Sequence, residues 1–143
     1  MSIEQEYEDI QEKYILFFDG LQTVAGAVLY RNDSNETEPT KIWNYSVHVG
    51  SDKTNNYAEY MGLIEGLVEA RRKCLPNLLV KGTSLQVIEQ MQGIYQVDDP
   101  QLLPLYQRAC FLANRIGYVE FQHVDASNNK QSIITANDEF ISN

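Results

Sequence analysis

Residues 78–91, LLVKGTSLQVIEQM, set an apolar strand directly against the start of a helix. Leu78, Leu79 and Val80 run into Lys81-Gly82, and Leu85, Ile88 and Met91 then recur at helical spacing. A strand flanked by helices needs a crossover before it can pair, so it belongs to a sheet with parallel pairing. Such a junction also lies at the carboxyl edge of the sheet, where α/β proteins often place their reactive groups. Thr83-Ser84 occupies that junction without a carboxylate, in a chain that has 20 Asp and Glu residues.

The flanking segments complete the pattern. Residues 14–19, YILFFD, predict a first strand, Gly20 to Val24 a turn, and Ala25 to Tyr30 a second strand. After the polar loop RNDSNETEPT, residues 41–49 alternate as a third strand. A helix over about 57–73 is expected to bury Ala58, Met61, Ile64, Leu67 and Val68, and Pro76 blocks its continuation. Beyond the 78–91 junction, a longer helix ends near Arg115 with Gly117 as its cap. YVEFQHV predicts a fifth strand, and a last helix is expected over about 131–141. The order β-β-β-α-β-α-α-β-α describes an antiparallel meander followed by helix-separated strands. The expected fold class is α/β, with one five-stranded mixed sheet flanked by helices. At 143 residues the chain suits one domain. Residues 14–143 are assigned to it, and residues 1–13 to an acidic N-terminal arm.

Charge and composition narrow the function. The net charge of −9 disfavours a nucleic-acid grip, which normally presents a basic stripe to phosphates. The basic cluster Arg71-Arg72-Lys73 is most simply accounted for as cations at a helix carboxyl end. No apolar run reaches bilayer length, and the acidic opening MSIEQEYEDIQEK is no signal peptide, so an intracellular location is expected and no membrane. Cys74 and Cys110 have no Cys or His neighbour at ligand spacing, which argues against a metal site or a disulfide framework.

The element order, with FFDG closing the first strand, AGAVLY in the second and NNYAEYMGLIEGL opening the long helix, resembles the type 1 ribonuclease H family. LLVKGTSLQVI and HVDASNNKQSIITAN extend the likeness to about residues 14–141. The last fragment is similar to the archaeal, plant and retroelement branch. The resemblance implies a ribonuclease H-like fold and a site of four carboxylates holding two divalent metals about 4 Å apart for cleavage of an RNA strand. It places the first carboxylate at Asp19 and the second at Glu59. The third position is Thr83. The fourth, counted from His123 and Asn129, is Ile133, after Ser132. Asp125, Asp138 and Glu139 do not replace them, because residue 138 is rotated away from the face of residue 133 and one added acid does not restore two. The family arginine after H-V-x is Ala126, and the family's Gly-rich turn between the first two strands shrinks to Gly20–Val24. Asn55 and Asn56 remain where the family touches the minor groove.

Each surviving residue has a simpler account. Asn56-x-x-Glu59 fits a capping box, Asp19 before Gly20 an Asx-type turn, and His123 a hydrogen-bonded histidine at a strand end. The expectation is therefore a catalytically inactive ribonuclease H-like domain used in protein interaction or as a scaffold, with no cofactor. Tyr7 and Ile10, three apart in the acidic arm, suggest a segment that docks on a protein partner. The alternatives are an RNA–DNA hybrid nuclease with a degenerate site, using Mg²⁺, or an inactive nucleic-acid-binding domain contacting through Asn55, Asn56 and Arg71–Lys73.

Overall fold

The computed structural model describes residues 12–33, 35 and 38–126. Five strands form one sheet: β1 Lys13–Leu21, β2 Val24–Asn32, β3 Thr40–His48, β4 Asn77–Gly82 and β5 Tyr118–His123. Three helices join them: α1 Asn55–Arg72, α2 Leu85–Met91 and α3 Leu103–Ile116. The expected last helix at about 131–141 lies outside the described residues.

The sheet order is β3-β2-β1-β4-β5. β1–β2 and β2–β3 pair antiparallel, while β1–β4 and β4–β5 pair parallel. This is the mixed sheet expected from the meander and the two helical crossovers. The β1–β2 connection is tighter than expected, because Leu21 pairs with Val24 and only Gln22 and Thr23 turn the chain. Parallel pairing of β1, β4 and β5 brings their carboxyl ends to one edge, with Phe18 opposite Gly82 and Gly82 opposite His123.

α1 lies between the sheet and α3. Ala58, Ile64 and Leu67 are buried as expected, but so are Tyr60, Leu63 and Ala70, while Met61 and Val68 are half-buried. A helix covered on both sides has no single apolar stripe, so its periodicity alone misplaces the buried arc. The helix begins two residues earlier than expected. Thr54 caps it, accepting from Tyr57 N at 3.2 Å. It ends through Cys74, whose φ of 56° leaves the helical region two residues before Pro76.

The sheet and α1 touch through backbone. A Cβ on Gly62 would stand 2.5 Å from the carbonyl oxygen of Gly26 and 3.0 Å from that of Asp19. A Cβ on Gly20 would stand 2.3 Å from Glu59 N. These contacts run antiparallel along β1, and Gly66 continues them against Leu16. Gly62→Ala is expected to lower stability by roughly 1–3 kcal/mol, because the obstacle is backbone that cannot move alone. Gly66→Ala should cost less, since its obstacle is the Leu16 side chain, which can shift more readily than backbone, while both variants share the helix-propensity gain of about 1 kcal/mol. Urea denaturation of the two variants checks the order. Equal losses would show that α1 is not seated through Gly62.

Candidate active site

Asp19 stands near the carboxyl end of β1, opposite Gly26 of β2. It is 5% exposed. Its Oδ1 accepts from Gly20 N at 2.8 Å, whereas Oδ2 is buried with no hydrogen-bond partner among the described residues. The residue is a strand residue, and the turn lies beyond it at Gln22-Thr23, so it does not serve as an Asx-type turn. Burial pushes its carboxyl up to about 6, against the opposing effect of the Gly20 hydrogen bond.

Glu59 is 7% exposed on α1, one turn into the helix. The capping-box expectation fails here. The cap is Thr54, so the third helical position is Tyr57 and Glu59 lies beyond reach of the cap backbone. Glu59 instead faces inward, and its Oε2 is buried without a partner among the described residues. Burial is the main cause that raises its carboxyl to about 7. A hydrogen bond from Ser84 opposes this, and the neighbouring Asp19 charge adds to it. The two carboxylates that the resemblance carried over therefore do meet, and they meet in a desolvated place.

Thr83 follows β4 at the same edge, half-buried. Its carbonyl oxygen accepts from His123 Nε2 at 3.0 Å. His123 ends β5, so it acts there as the strand-end histidine expected from the sequence. Ser84 is the cap of α2: its Oγ accepts from Val87 N at 3.2 Å. Its one hydroxyl proton has two acceptors in reach, Asn56 Oδ1 at 3.3 Å and Glu59. Asn56 also donates to Gln86 Oε1 at 2.8 Å, tying the start of α1 to α2. Its neighbour Asn55 is exposed. The part played by Ser84 and Gln86 in joining the two helix starts is invisible in sequence spacing, since they lie 28 and 30 positions from Asn56. Asp125 is exposed beyond β5. Ile133, Ser132, Asp138 and Glu139 lie outside the described residues.

Among the described residues, the donors at this edge are too few in charge to fit a pair of divalent ions. Asp19 and Glu59 supply two carboxylates, Thr83 a neutral hydroxyl, and Ser84 is already committed as a cap. Hard dications need more anionic oxygen than that. Among the described residues, no three of His, Cys, Asp and Glu gather as a metal site.

Comparison with known proteins gives the family and the fold. The family described as reverse transcriptase-like matches residues 20–139. The bifunctional protein Rv2228c of Mycobacterium tuberculosis is 39% identical over 85 residues, which is 59% of this chain and 23% of that protein. The chain thus spans about a quarter of the length of the curated relatives it matches. Among solved structures, the N-terminal RNase H domain of Rv2228c superposes with a TM-score of 0.77 at 31% identity, over 88% of this chain and 91% of that one. RNase H1 of the archaeon Halobacterium salinarum gives 0.77 at 23% identity, over 92% and 99%, a likeness of fold. LC11-RNase H1, solved in complex with an RNA/DNA hybrid, gives 0.74 at 25% identity, over 88% and 95%. No helix among the described residues is long and apolar enough to cross a membrane.

The raised carboxyls make a signed prediction. Each folded-state pKa lies above its ordinary value, so the folded chain holds protons that the unfolded chain releases. Stability from this pair is then greatest below about pH 4 and falls as pH rises through about 6–7. Urea midpoints measured between pH 5 and 8 should fall with pH, by on the order of 1–3 kcal/mol in stability. Glu59→Gln should flatten most of that slope and raise stability at pH 8. A slope unchanged by Glu59→Gln would mean the carboxylates stay ionised in the fold.

Proposed function

The chain belongs to the reverse transcriptase-like family and folds as a ribonuclease H, and from that premise we propose that it is a catalytically inactive member whose work is contact with a protein partner. The observation that carries this reading is Thr83. It sits at the carboxyl end of β4, beside the Asp19–Glu59 pair, where the family's chemistry requires an anionic ligand. A threonine hydroxyl adds no charge, and the carbonyl of the same residue is taken by His123. Metal-assisted cleavage relies on cations that activate water and stabilise the leaving oxygen, so a site that does not gather them has no route to the reaction. Ile133, at the fourth ligand position by the sequence pattern, supports the same reading.

Three further features agree. The β1–β2 connection is reduced to Gln22-Thr23, which leaves no extended turn to approach a nucleic-acid strand. Of the two asparagines expected at a minor groove, Asn56 is engaged with Gln86 and Ser84. A net charge of −9 opposes a polyanionic ligand at long range. Hybrid binding, recorded for LC11-RNase H1, is thus the less favoured reading for this chain.

The test is a cleavage assay on an RNA–DNA hybrid with Mg²⁺ and, separately, Mn²⁺. The expected result is no product above a metal-free control with either ion. Cleavage that disappears in Asp19→Asn would overturn the proposal.

A further inference from the structure

The sheet end opposite the Asp19–Glu59 edge carries the most distinctive surface cluster among the described residues. Arg71 lies in the last turn of α1 and Arg115 in the last turn of α3. Both guanidiniums stack on one ring, that of Phe111, at 5.9 and 4.3 Å from its centroid. With Asn114 they line a shallow cleft of about 530 Å³. Helix macrodipoles account for cations at these two ends. They do not account for a phenylalanine left 50% exposed between them. Nor are these cations neutralised: Arg72 and Lys73 both pair with Glu69, but neither Arg71 nor Arg115 has a carboxylate partner among the described residues. Two like charges beside one exposed ring favour an anion near them.

The start of the described chain arrives at the same end of the sheet. α1 runs antiparallel to β1, with Glu59 at Gly20, Gly62 at Asp19 and Gly66 at Leu16, so the last turn of α1 reaches the level where β1 begins. Asn77, which opens β4 just after α1, donates from Nδ2 to the carbonyl of Glu12 at 2.8 Å and accepts from Tyr14 N at 3.2 Å. Asn77 is also opposite Tyr118, and Gly117 lies against Pro76, so the end of α3 is at this corner too. Directly before Glu12 the sequence carries Glu4, Glu6, Glu8 and Asp9, with Tyr7 and Ile10 among them. Asp9 is three residues from Glu12, a reach of roughly 10 Å of extended chain.

We propose that this cleft takes the chain's own acidic segment, residues 4–10, whose carboxylates pair with Arg71 and Arg115 while Tyr7 or Ile10 covers Phe111. A nucleic-acid strand fits the cleft poorly, since two arginines on a chain of net charge −9 make no stripe for successive phosphates. The segment occupies an electrostatic site that a protein partner with its own acidic stretch would have to contest.

Hydrogen exchange on the full-length chain tests this, with a synthetic peptide of residues 2–11 as the unprotected reference. At low ionic strength, amides of residues 4–10 should exchange more slowly than in the peptide. The protection should be lost in about 1 M salt, where the Debye length is about 3 Å. It should also be lost in Arg71→Glu with Arg115→Glu, while β1 and β4 stay protected as a check on folding. Adding Glu6→Lys, Glu8→Lys and Asp9→Lys to that variant should restore it. Peptide-like exchange in the unmodified chain, protection that survives the arginine reversals, or a charge-swapped chain that stays unprotected would each overturn the assignment. Protection that rises with protein concentration would overturn it in favour of a second copy as the occupant.

Discussion

The backbone-to-backbone seat of α1 on the sheet is the contact on which the other features rest. Gly62 lets the helix approach the carbonyls of Gly26 and Asp19, and Gly20 lets β1 approach Glu59 N. Because no side chain separates them, helix and strand are fixed in register as well as in distance. Glu59 is thereby held beside Asp19, and both carboxylates are enclosed. The same seat directs the last turn of α1 to the level of Glu12 and Asn77, so one contact sets what happens at both ends of the sheet.

Enclosure gives the carboxylate pair its character. Thr83 and Ser84 beside the pair are uncharged, and burial pushes both carboxyls towards the neutral form. The junction keeps its backbone function all the same: Ser84 caps α2, and Thr83 holds His123 through its carbonyl. The turn is structural whatever side chain stands at position 83, because the cap comes from Ser84 and the β5 contact from a backbone carbonyl.

Much of the fold was legible in the residues. Five strands and three of the helices follow from apolar runs, helical spacing and breakers such as Pro76 and Gly117, and the parallel pairing follows from the helical crossovers. The local accounts of single residues failed where they depended on exact boundaries. Glu59 fitted a capping box only if the helix began after Asn56, and Thr54 moved that start by two residues. Met61 and Val68 were expected inside on a one-sided helix, but α3 covers the second side and brings Tyr60, Leu63 and Ala70 into the core.

By itself, the sequence determined the element order, the mixed sheet and the uncharged Thr83-Ser84 junction after β4, because these depend on local pattern and on residue identity. Only the tertiary structure decided that Asp19 and Glu59 share a desolvated pocket, and that Ser84 and Gln86 join the starts of two helices. It alone gathered Arg71, Arg115 and Phe111 at the corner where Glu12 enters the sheet. Those residues are tens of positions apart. Burial and proximity between them are set by how α1 is seated on β1, a contact made by glycines whose significance depends on what lies across from them.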